Sequence, residues 1–151
     1  MNTPVSRLIG PRGTIVHTTP SASVLSASKL MTTENTGSVL ILDESGVLIG
    51  IFTERDLLTR VVAAGLDPAA TPIEDVMSRD VITVRANALR RDVHNIMKSK
   101  NVRHVPVING PDVIGVVSLR DILRSANAEK DFEIGQLKDY ITNRPYPSYP
   151  G

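Results

Sequence analysis

Thr53 and Asp56, and 65 residues further on Ser118 and Asp121, repeat one arrangement: a hydroxyl, two intervening residues and a carboxylate. Each pair follows an apolar run, Val47 to Phe52 or Val113 to Val117, and opens a segment with helical apolar spacing. A strand-to-helix junction leaves backbone N–H groups unpaired at the positive end of the helix dipole, and these suit a phosphate. The hydroxyl of Thr53 or Ser118 adds a donor. An ionised carboxylate only accepts, so Asp56 or Asp121 can hold the two adjacent hydroxyls of a ribose. Gly50 and Gly115 remove a side chain from the preceding strand and leave room for a flat base against the backbone. Ile15, Val81, Val39 and Val105 supply apolar walls for that base. The same spacing is also a capping box, in which hydroxyl and acid satisfy the helix's own N–H groups and bind nothing. Both readings stand on these residues, and one side chain can serve both.

Other chemistries find no residues. With no cysteine there is no disulfide, thiolate site or thiol nucleophile. His17, His94 and His104 lie far apart and without metal-motif spacing. No nucleophile–base pair or glycine-rich phosphate loop is evident, so no catalytic residue and no metal ligand is expected. A formal net charge of +1 gives no field for nucleic acid. No apolar run reaches the ~18 residues of a membrane span, and the start of the chain lacks the pattern of a signal peptide. A cytoplasmic protein is expected. Phe and Tyr total five and Trp is absent, so the core must be aliphatic.

The two junctions belong to a longer duplication. Gly50-Ile-Phe-Thr-Glu-Arg-Asp-Leu-Leu58 matches Gly115-Val-Val-Ser-Leu-Arg-Asp-Ile-Leu123; Leu30-Met31 and Asn35 match Ile96-Met97 and Asn101; Thr3-Pro4-Val5 matches Thr71-Pro72-Ile73. Each copy predicts a short leading helix capped by Thr and opened by Pro, ending near Ile9 or Met77. A strand follows over Thr14 to Thr18 or Val81 to Val84, then an amphipathic helix and two apolar strands. Val39 to Leu42 pairs with Val47 to Phe52, and Val105 to Ile108 with Val113 to Val117. A closing helix begins at Thr53 or Ser118, the first stopped by Gly65. Continuous rather than alternating apolar strands predict burial on both faces. The fold class is α/β (α+β), two tandem β-α-β-β-α repeats over 3–65 and 71–126 packed into one pseudo-twofold unit, sheet against sheet. Residues 127–151 form a tail: a short amphipathic helix over Asp131 to Ile141, then an extended Pro/Tyr segment from Asn143 to Gly151.

The chain resembles paired CBS domains (cystathionine-beta-synthase domains) of the stand-alone prokaryotic type. The closing pattern of Gly, two apolar residues, Ser/Thr, two further residues and Asp carries the likeness, together with His104-Val-Pro-Val107. The resemblance implies a regulatory module, not an enzyme. It implies a ligand among AMP, ADP, ATP, NAD(H) and S-adenosylmethionine, bound between the copies with no cofactor. It also implies a homodimer forming a disc of four repeats and an unidentified protein partner. In such proteins basic residues at Arg103 and His104 reach ligand phosphates, and His17 and Thr83 occupy contact positions. Arg120 and Arg55, which precede the acids, face either a phosphate or solvent. The alternative is a ligand-free dimerisation scaffold whose acids are caps alone.

Overall fold

A computed structural model of the chain describes residues 3–9 and 15–143. The repeat is carried rung by rung. In copy one, strands β1 (His17–Thr18), β2 (Ser38–Leu42) and β3 (Leu48–Thr53) form a sheet in that order. Helix α1 (Val24–Glu34) connects the first two. In copy two, β4 (Val84–Arg85), β5 (His104–Asn109) and β6 (Asp112–Ser118) do the same around α3 (Arg90–Lys100). In both sheets the first pairing is parallel and the second antiparallel. Ser38 faces Thr53 as His104 faces Ser118, and the register slips after Ile41 and again after Val107. α1 and α3 each stop at an asparagine in the left-handed region, Asn35 (φ 52°) and Asn101 (φ 53°). The next N–H, of Thr36 or Val102, reaches back to Met31 or Met97 and closes the helix end.

The apolar residues form two clusters. One gathers Val24, Ala27, Met31, Val39, Ile41, Phe52 and Val61; the other Val84, Val93, Met97, Val105, Val107, Val117 and Ile122. Each sheet thus has its own core. The copies join in another way. The leading turn of copy two, a 3-10 turn over Ile73–Asp75, packs Ile73, Val76 and Met77 into the core of copy one. That of copy one, Val5–Arg7, packs Val5, Leu8 and Ile9 into the core of copy two. Each turn is tied by backbone bonds to the copy it enters: Ile73 N–H to Ala22 O (2.7 Å), Val5 N–H to Ala88 O (2.7 Å). The copies have exchanged their first elements.

Several local expectations change. Thr3 and Thr71 do not cap the leading turns; Pro4 and Pro72 hold that position and no side chain caps them. β1 and β4 are two residues each, and Thr14 lies outside the described residues. The closing helix α2 (Glu54–Asp56) continues as a π turn over Leu57–Val62. Beyond it Gly65 (φ 73°) and the Leu66 N–H to Val61 O bond end the helix. The closing helix of copy two and the expected separate tail helix are one element, α4 (Leu119–Asn143), since nothing between Arg124 and Lys130 breaks a helix. Arg90 holds its middle, donating to Ser125 Oγ (3.1 Å) and pairing with Glu129 (2.7 Å). The segment 144–151 lies outside the described residues. No described helix is long and apolar enough to cross a membrane.

Candidate functional site

Both junctions form complete capping boxes. Asp56 N–H donates to Thr53 Oγ1 (3.2 Å) and Thr53 N–H to Asp56 Oδ2 (3.0 Å). Asp121 N–H donates to Ser118 Oγ (3.1 Å) and Ser118 N–H to Asp121 Oδ2 (2.9 Å). The cap engages one oxygen of each acid, and a carboxylate has about four lone-pair sites. The second oxygens differ. Asp56 Oδ1 lies 3.6 Å from Arg60 Nε. Arg60 in turn donates to the Val76 and Met77 carbonyls (3.2 Å each), so the exchanged turn helps fix Asp56. Copy two has Ser125 at the corresponding place.

A cleft of about 160 Å³ opens at the copy-one junction, far more than the ~10–15 Å³ that holds a single water. Three pieces of chain make it. β3 and α2 bring Thr53, Glu54, Arg55 and Asp56; the stretch after the exchanged turn brings Asp80, Val81 and Ile82; the start of β5 brings Val102, Arg103 and His104. The structure thus brings Thr53, Asp56, Val81, Arg103 and His104 to one cleft, while the carboxylates that act on the His104 imidazole are Glu54 and Asp121. Arg55 is at the rim, its guanidinium donating to the Asn101 carbonyl across the copies (2.7 Å).

The remaining candidates lie elsewhere. Ser118, Arg120 and Asp121 belong to the second junction. Its wall corresponds to the stretch between Ile9 and His17, of which 10–14 lie outside the described residues. Ile15 is half-buried, while His17 and Thr83 are exposed and do not line the cleft. Val39 and Val105 are corrected: both are wholly inaccessible in the two cores, because strand alternation turns them away from the cleft that Arg103 and His104 face. Gly50 and Gly115 are corrected too. A Cβ at Gly50 would collide with the Met77 sulfur, and one at Gly115 would sit 3.1 Å from Ile9, so the exchanged turns fill the space assigned to a base. The apolar wall is instead Ile51, Val81, Ile82 and Val102. Ile51, Glu54, Ser78, Asp80, Ile82 and Val102 were missed; adjacency of Val102 to Arg103 was the one available signal.

His104 is the electrostatic centre. Its Nε2 is 2.9 Å, and Glu54 Oε1 3.0 Å, from where a Cβ on Gly37 would stand, so acid and imidazole both crowd that glycine. Burial pushes the imidazole below its usual 6.5; Arg103 and Arg120 reinforce this, while Glu54 and Asp121 oppose it. A base whose folded pKa is lowered binds fewer protons folded than unfolded, so stability falls as pH drops below 6.5 toward the lowered value. Melting curves across that window should show the loss, and His104→Ser, the residue copy one carries, should flatten it. Glu129 has a separate, lower window. Its hydrogen bond to Arg90 holds it at about 2, so its stabilisation is lost only as pH falls below 4.5.

Among the described residues no group of His, Cys, Asp or Glu is placed to hold a metal. A family model described as the CBS domain matches the chain twice, over residues 5–63 and 73–127. The chain is 32% identical over 127 residues to the mitochondrial CBS domain-containing protein CBSX3 of Arabidopsis thaliana, covering 82% of this chain and 62% of that protein. It is 31% identical over 103 residues to the CBS domain-containing protein YhcV of Bacillus subtilis, covering 68% and 72%. The crystal structure of the CBS domain pair of protein MJ0100, in complex with 5′-methylthioadenosine and S-adenosyl-L-methionine, superposes with a TM-score of 0.75. The two are 26% identical, over 85% of this chain and 99% of that one.

Proposed function

The chain belongs to the CBS-domain family, and from that premise we propose that it is a regulatory module that binds an adenosine-type ligand between its two copies. The carrying observation is the cleft itself: a hydroxyl, a helix start and a buried acid from copy one face Arg103 and His104 from copy two. Asp56 takes the ribose diol, Thr53 and the start of α2 a phosphoryl oxygen, and Ile51, Val81, Ile82 and Val102 the base. Because the walls come from both copies, ligand affinity depends on how the copies sit, which is what a sensor requires. The adenosine ligands of the MJ0100 pair support this class. We place AMP, ADP, ATP, NAD(H) and S-adenosylmethionine within it. The charges are mixed, with Arg55, Arg103 and His104 set against Glu54, Asp56 and Asp80. The chain acts as a homodimer, in the cytoplasm, on a partner protein. Ser118, Asp121 and Arg120 form a second, unequal site.

A thermal-shift panel of these ligands on ligand-free protein tests the proposal. A ligand at 100 times its Kd adds ~2.7 kcal/mol, roughly 5–11 °C for a domain of this size. Flat curves throughout would favour the second reading, a ligand-free scaffold, which the two satisfied capping boxes already suit. Phosphate release from ATP with magnesium would instead mark a hydrolase.

A further inference from the structure

The apolar stripe along α4 has no counterpart in the cleft. Leu123, Ile134 and Leu137 are 46%, 51% and 59% exposed. Asn127 and Lys130 lie on the same line and are also exposed. The intervals 123, 127, 130, 134, 137 alternate four and three, and the sequence puts Ile141 at the next step. This is heptad spacing, with Asn127, Ile134 and Ile141 at a and Leu123, Lys130 and Leu137 at d, four of the six being apolar.

We propose that the second half of α4 pairs with the same helix of a second copy as a short, parallel, in-register two-stranded coil. Ile at a with Leu at d favours two parallel strands, and one Asn at a fixes register. The flanking positions agree: the sequence places Glu133 at g and Lys138 at e, five residues apart. That is the g-to-e spacing of a parallel seam. The outer half of α4, from Lys130 to Asn143, is close to the length at which a lone helix is marginal in water, and Gly135 weakens it further. The opposite side of α4, through Ser125 and Glu129, is tied to Arg90 and leaves the seam facing outward. The inference deepens the proposed pairing of two copies and is independent of the ligand.

The chain has no cysteine, so single cysteines report geometry directly. In the full chain, Ile134→Cys at the seam should oxidise to a covalent dimer in most molecules. Phe132→Cys, which is exposed on the opposite side, should not. Sedimentation of Ile134→Asp/Leu137→Asp should show a dimer constant weakened at least tenfold with the melting temperature of the body unchanged. Equal cross-linking at 132 and 134, or an unchanged dimer constant, would overturn the coil. A dimer that persists without cross-linking at 134 would overturn the coil and leave the pairing of modules standing, and ligand melts would be unaffected in either case.

Discussion

Asp56→Asn should weaken binding of an adenosine ligand by about 10–100-fold while leaving the fold intact. A hydrogen bond to a charged acceptor contributes about 1.5–3 kcal/mol, and 1.4 kcal/mol is tenfold in affinity. The substitution is chosen to separate two roles that share one side chain. Asparagine keeps a carbonyl oxygen for the Thr53 N–H, so the capping box survives. It removes the charge and one acceptor that the ribose needs. Asp56→Ala removes both, and should add a loss of about 1 kcal/mol in stability to the same loss of affinity. Titration calorimetry and melting curves on the three proteins give both quantities. Unchanged affinity in Asp56→Asn would mean that the acid is a cap and nothing more. Asp121→Asn, read for stoichiometry, reports the second junction in the same way.

Ile73→Ala should destabilise the protein by about 2–5 kcal/mol, the usual loss for a large aliphatic side chain removed from a close-packed core. Ile73 is completely buried. The weight of the prediction lies in where it is buried: it belongs to copy two by sequence, yet fills the core of copy one beside Phe52 and Val61. If each copy kept its own first turn, the damage would fall on copy two. Hydrogen exchange on β2 and β3 against β5 and β6 locates it, and protection should fall first in β2 and β3. Leu66→Ala, at a residue 43% exposed, serves as the control and should change stability by no more than about 0.5 kcal/mol. Protection lost first in β5 and β6 would refute the exchange.

What the sequence disclosed was what repeats locally. The two hydroxyl–acid junctions, the apolar strands and the asparagine-ended helices recur at nearly constant spacing, and the sheets follow them rung by rung. Exchange of the leading turns was hidden because Thr-Pro-Val and Thr-Pro-Ile look the same whichever core receives them. That concealment also misassigned Gly50 and Gly115, since Met77 and Ile9 are remote from them in sequence. Val39 and Val105 were placed on a ligand wall because an unbroken apolar strand does not reveal which of its faces meets a core. Glu54 and Asp80 carried no signal at all, as a charged residue near a helix start is ordinary. The long α4 was read as two helices because its apolar stripe lapses at Asn127 and Lys130, although its backbone has no reason to break there.

The exchanged turns also set an arithmetic. Each core is completed by the leading turn of the other copy, through Ile73 in one direction and Val5 in the other. The reciprocal exchange closes at two copies. A fragment holding one copy would have an open socket and an idle plug, and could fill both only by finding another fragment. A chain grown to three copies would have no reciprocal partner for the third.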